Sequence, residues 1–161
     1  MEDCKDPILR VLLTNDGSMT IALQAIVLEK IRAEIIQSLE VMECEYFPCE
    51  TIQREIVLTC GVGKVLYALS YIRKDFHVRM GFGQGVPIGL VMKNNKIEQF
   101  RDVYSIKFEE ISEELSQKLN IPRQKLFQRS YHVYSSNQSQ MHIHEILLPD
   151  LQNYLSTFHQ A

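Results

Sequence analysis

The chain has 161 residues, 45% of them hydrophobic, enough to bury roughly 70% of the unfolded surface as a single domain spanning 1–161. Its 17 Lys and Arg against 20 Asp and Glu give a net charge of −3 with no basic cluster, which excludes the electrostatic footprint of a nucleic-acid binder. No apolar stretch approaches the roughly 18 residues of a membrane helix, and no basic-then-apolar leader opens the chain. The four cysteines (Cys4, Cys44, Cys49, Cys60) contain no CxxC pair, so a cytoplasmic protein with reduced, structural thiols is expected, with neither nucleic acid nor membrane as partner.

In chain order, PILRVLL (7–13) predicts a short helix opened by Asp6 and Pro7, and TNDG (14–17) a turn. Ser18 is placed to cap a second helix over MTIALQAIVLEK. AEIIQSLEVM fits either period and is read as a strand. TIQREIVLTC, the turn GVGK and VLYALSYI form a hairpin rich in β-branched and aromatic residues. A Gly-rich loop, GFGQG, leads into PIGLVMKN, a short helix with Pro87 at its first turn. IEQFRDVYSIKFE reads as a long strand, and ISEELSQKLN as a helix with Glu113 and Glu114 early and Lys118 late, stopped by Pro122. KLFQRSYHVY, the turn SSNQS and QMHIHEILL make a last hairpin before a terminal helix over PDLQNYLSTF. About six strands and four or five helices, joined by short hairpins, require antiparallel pairing.

Strand side chains alternate between faces, so a parity test locates charges on apolar registers. In TIQREIVLTC, Arg54 shares a face with Ile52, Ile56 and Leu58. In QMHIHEILL, Glu145 shares one with Met141, Ile143 and Leu147, while His142 and His144 point to the other. Arg129 lies with Phe127, Tyr131 and Val133. Inward charges need partners, and the partner can be a ligand; the plainer reading is a buried Arg54–Glu145 ion pair that only fixes register. The two hairpins also resemble each other: QRE (53–55) and QRS (128–130) begin them, and the position 16 after each Arg is Ser70 or Glu145. A weak internal duplication and a coincidence of similar hairpins both account for this.

Taken together, LLTNDGSMT (12–20), REIVL (54–58), PIG (87–89), QRS (128–130) and HEILLP (144–149) resemble the chorismate pyruvate-lyases, which make 4-hydroxybenzoate. The resemblance runs from about residue 8 to 149. It implies an α+β fold, a six-stranded antiparallel sheet with helices packed on it and an enclosed ligand pocket. It also implies that Arg54 pairs with the ring carboxylate of the ligand and that Glu145 hydrogen-bonds the ring hydroxyl, these two being the catalytic candidates. Main-chain groups of Met19 and Ile88 are further substrate contacts by the same likeness. Ile88 stands where the family has Leu, His144 where it has Thr, and Gly17 is an insertion relative to some members.

Loss of pyruvate aromatises the ring, so the implied reaction needs no redox cofactor or metal; the protein's task is orientation and charge stabilisation. Arg129, assigned by parity alone, is a candidate for the enolpyruvyl carboxylate. Glu145 is expected to favour its protonated form unless a cation is close. The expected partners are chorismate and 4-hydroxybenzoate, with the protein a monomer or small homo-oligomer.

Two other readings stand beside this one. ELSQKLNIPRQKLFQRSYHVY resembles the effector-binding (UTRA) domains of GntR-type regulators, which share the fold and act as sensors, so a non-catalytic binding module is the alternative. These regulators normally carry an N-terminal winged helix-turn-helix, for which the chain leaves no room. A metal enzyme using His142 and His144 lacks a third ligand on their face. Gly81, Gly83 and Gly85 have phosphate-cradle spacing without a strand-to-helix context, so a mobile loop is the better expectation there.

Overall fold

The computed structural model describes residues 4–83 and 86–159. Its order is α1 (Pro7–Thr14), α2 (Met19–Val27), β1 (Arg32–Val41), β2 (Thr51–Cys60), β3 (Gly63–Arg73), α3 (Lys74–Met80), α4 (Ile88–Asn94), β4 (Phe100–Glu110), α5 (Glu113–Leu119), β5 (Lys125–Ser135), β6 (Gln138–Leu147) and α6 (Pro149–Ser156), followed by a 3₁₀ turn. All strand pairs are antiparallel, in the order β1-β2-β3-β6-β5-β4. The α+β architecture expected from the sequence is therefore the one found.

Local chemistry explains most boundaries. The Asp6 carboxylate accepts from the amides of Ile8 and Leu9 and starts α1; Ser18 Oγ accepts from Ile21 and starts α2. α2 ends earlier than MTIALQAIVLEK suggested, because Leu28 turns left-handed at φ 55°. The β5–β6 turn places Ser136 and Asn137 at φ 52° and 59°, the paired positive values of a type I′ hairpin. Helix α3 was not anticipated: RKDFHVRM has one fully buried residue, Phe76, too few for a visible helical period. Gly81, at φ 64°, closes α3 by donating to the carbonyls of His77 and Val78.

Both faces of the sheet are covered. On the inner face, Leu9, Leu12, Leu13, Leu23, Phe76, Met92, Leu151 and Leu155 from the helices pack with Ile56, Leu58, Leu66, Ile72, Val133, Met141, Ile143 and Leu147. On the opposite face, a smaller cluster of Val57, Tyr67, Ile146, Leu148, Ile111, Leu119 and Leu126 packs with α5. None of the helices among the described residues is long and apolar enough to cross a membrane.

The strand order reads the same from either edge, and the register repeats. Arg54 faces Ser70 across β2–β3 and Arg129 faces Glu145 across β5–β6, at the same offset of 75 positions. The central β3–β6 ladder maps onto itself under that offset, with Leu66 opposite Leu147 and Ile72 opposite Met141. Helix α2 precedes β1 as α4 precedes β4, and α3 follows β3 as α6 follows β6. The likeness of the two hairpins thus reflects a pseudo-two-fold arrangement of the sheet.

Candidate functional site

A cleft lies over the inner face at the centre of the sheet. Ile56 and Leu58 of β2, Leu66, Ala68 and Ser70 of β3, Ile143 and Glu145 of β6, Tyr131 of β5 and Arg101 of β4 form its floor. Its roof is made by two chain segments that start helices, Ser18-Met19-Thr20 and Pro87-Ile88-Gly89. These segments approach closely because residue 89 is glycine: a Cβ there would collide with Ser18 Oγ. Met19 and Ile88 both line the cleft, at corresponding places in the two halves. The space is about 40 Å³, room for a few waters and far below the roughly 300 Å³ of a usual ligand pocket.

The four site charges meet different fates. Arg129, 1% exposed, donates from Nε to Glu145 Oε2 at 2.7 Å and from Nη1 to the carbonyls of Leu12 (3.0 Å), Leu13 (3.4 Å) and Asn15 (2.7 Å). Burial lowers its pKa, but Glu145 and Tyr131 outweigh this, so it is held above its ordinary value. The other Glu145 oxygen accepts from the Tyr131 hydroxyl at 2.9 Å. Burial and Glu145 push that phenol up, so it stays a donor. The cation close to Glu145 is therefore Arg129 and not Arg54, and the expected Arg54–Glu145 pair does not form.

Arg54, 2% exposed, faces Ser70, where the other half has Glu145. Its Nη2 donates to the carbonyls of Gly83 (3.5 Å) and Val86 (3.4 Å), both at the long limit, and Nη1 has no partner among the described residues. Burial lowers its pKa, and burial together with the Arg54 charge holds nearby His77 below its own ordinary value. Gln84 and Gly85 of the GFGQG loop lie outside the described residues.

Arg101 was not singled out from the sequence. It is 6% exposed, lines the cleft, donates from Nη1 to the Asp16 carbonyl at 3.3 Å, and leaves Nε without a partner among the described residues. Its guanidinium sits 5.9 Å from the Tyr131 ring centre. The same parity test would have found it, since Arg101 and Val103 share a register in FRDV; a bulge beside Tyr104 then shifts the alternation.

Among the described residues, the buried charges of the inner face are thus three guanidiniums and one carboxylate. Glu55, also buried, lies on the opposite face, where it is met by Lys118 at 2.8 Å and the Tyr67 hydroxyl at 2.9 Å. The three guanidiniums and one carboxylate give the inner face an excess of two positive charges, and buried charge requires a partner.

The two histidines do lie on the opposite face, as parity required, but His142 is no surface residue. It is 2% exposed and stacked on Tyr46 at 3.5 Å between ring centres, and its Nε2 lies 2.7 Å from the Tyr104 hydroxyl. Burial, with His132 and His144, lowers its pKa to about 4. His144 Nδ1 lies 2.9 Å from Ser130 Oγ. Among the described residues no cluster of three or more His, Cys, Asp or Glu side chains could hold a metal ion.

The sequence profile of a family described as chorismate pyruvate-lyase Rv2949c-like matches residues 13–155, nearly the whole chain. The protein belongs to this family. No curated protein matches in sequence. Among solved structures, the effector domain of PhnF from Mycobacterium smegmatis is similar at 13% identity and a TM-score of 0.67, over 83% of this chain and 90% of that one. A ligand-binding domain assigned to a GntR-family transcriptional regulator of Bordetella bronchiseptica matches at 11% identity and a TM-score of 0.59, over 73% and 85%. At such identities these likenesses show a shared fold, so this lyase-like chain shares its architecture with regulator effector domains.

Proposed function

We propose that this lyase-like protein eliminates pyruvate from chorismate to give 4-hydroxybenzoate. One observation carries the reading: Arg54 is a buried cation whose counter-ion position, filled by Glu145 in the other half, holds only Ser70. A carboxylate of the ligand supplies the missing charge, through a bidentate contact stronger than the long carbonyl contacts it replaces. Glu145, fixed by Arg129 and Tyr131, accepts from the ring hydroxyl. Arg129 is then a positioning residue: its Nε and Nη1 are committed to Glu145 and to the end of α1. Main-chain groups of Met19 and Ile88 close over the ring.

In this reaction the ether C–O bond breaks and the neighbouring carbinol carbon loses its hydrogen as a proton. The C–H electron pair completes the aromatic ring. The departing enolpyruvate takes up a proton at its methylene carbon and becomes pyruvate. Atoms and electrons balance without an oxidant. The protein holds the ring by both ends, excludes water and stabilises charge on the departing oxygen. Because 40 Å³ is too small for such a ligand, the roof segments must part on entry.

A second reading, a non-catalytic small-molecule sensor, draws on the fold shared with regulator effector domains. Incubation with chorismate separates the two. Equimolar pyruvate and 4-hydroxybenzoate, abolished in Arg54→Ala without loss of folding, is the expected result. Binding without products would overturn the lyase in favour of the sensor.

A further inference from the structure

Of the inward guanidiniums, Arg101 is the one that lines the cleft, and its Nε has no partner among the described residues. Arg129 commits Nε and Nη1 to Glu145 and three carbonyls and keeps only Nη2 without a partner among the described residues, and neither it nor Arg54 on β2 is among the residues that line the cleft. We infer that Arg101 binds a second carboxylate of the ligand and makes the site selective for dicarboxylates. This assignment rests on the reading of the cleft as a chorismate site and replaces Arg129 in that role.

Three features support it. Arg101 and Arg54 lie on β4 and β2, four strand spacings or about 19 Å apart across the sheet, so the two inward cations flank the cleft from opposite sides of the sheet's centre. Arg101 and Glu145 both adjoin Tyr131, one over its ring and the other at its hydroxyl. In chorismate the hydroxyl and the carboxylate-bearing ether stand on adjacent ring carbons, so Glu145 and Arg101 are neighbours in the order the substrate needs. Finally, the asymmetry is specific: the position matching Arg101 in the other half, opposite Leu58 as Arg101 is opposite Val133, is Ala33. The two halves thus differ where the ligand's two ends differ.

The test is calorimetric, with two probes: 4-hydroxybenzoate, carrying one carboxylate, and 3-(carboxymethoxy)-4-hydroxybenzoate, a stable dicarboxylate. Arg101→Gln is expected to weaken the dicarboxylate about 10- to 100-fold while leaving 4-hydroxybenzoate within about threefold. Arg54→Gln should weaken both, and Arg101→Lys should recover part of the loss. Equal weakening of both probes by Arg101→Gln, or none, would overturn the assignment and leave the lyase reading standing; so would a wild-type protein that binds only the monocarboxylate. A wild type that binds neither probe would overturn the chorismate reading and this assignment with it. Should Arg101→Gln not fold, the Arg101→Lys variant decides by the same ratio of affinities.

Discussion

Glu145 and Arg129 form a pair in which each is nearly sealed from water. Removing one member strands the other's charge, so Glu145→Ala is expected to cost about 3–5 kcal/mol of stability, measured by urea denaturation. Loss of ligand affinity in that variant would therefore mix two effects. The double variant Arg129→Met with Glu145→Leu should recover most of the stability while binding no 4-hydroxybenzoate. His142 makes a separate prediction. Its folded pKa of about 4 lies below the ordinary 6.5, so the unfolded chain binds more protons between these values. Stability is then full above about pH 6.5, falls as pH drops, and levels off near pH 4. His142→Phe, which keeps the stack on Tyr46, should flatten that slope in denaturation curves taken from pH 4 to 7. Arg54, Glu145 and Arg129 were legible because a charge on an apolar strand register is an anomaly in one dimension. Which of them paired was not, since pairing depends on which strands become neighbours.

At the scale of elements, the roof depends on two helix starts meeting edge to edge. Gly89→Ala drives a methyl group into Ser18 and should cost about 1–3 kcal/mol, with ligand affinity falling further than stability because Met19 and Ile88 are pushed apart. Parallel thermal melts and titrations check this. Gly63 has a comparable structural duty: at φ 124° it lies under Asp150, whose carboxylate accepts from the Lys64 amide and ties α6 to the β2–β3 turn. Most elements followed from caps and periods in the sequence. Helix α3 did not, because its seven residues fully bury one aromatic side chain, Phe76, and leave the others half-buried or exposed.

For the whole molecule, a protein of net charge −3 conceals an inner sheet face with two excess positive charges. Since that excess is buried, ligand binding should respond weakly to salt, unlike a surface site. It should also stabilise the fold, by about 2.7 kcal/mol at ligand concentrations 100-fold above Kd. A melting temperature unmoved by saturating 4-hydroxybenzoate would contradict this. The sequence by itself determined the strands, the hairpins, the antiparallel class and the faces on which Arg54, Arg129 and Glu145 lie, because local alternation and turn chemistry act within a few residues. Only the tertiary structure decided that β3 and β6 meet at the centre, that Arg129 neutralises Glu145, and that Arg54 and Arg101 each keep a buried N–H without a partner among the described residues. Those outcomes depend on which distant strands share a ladder, and no local pattern encodes that.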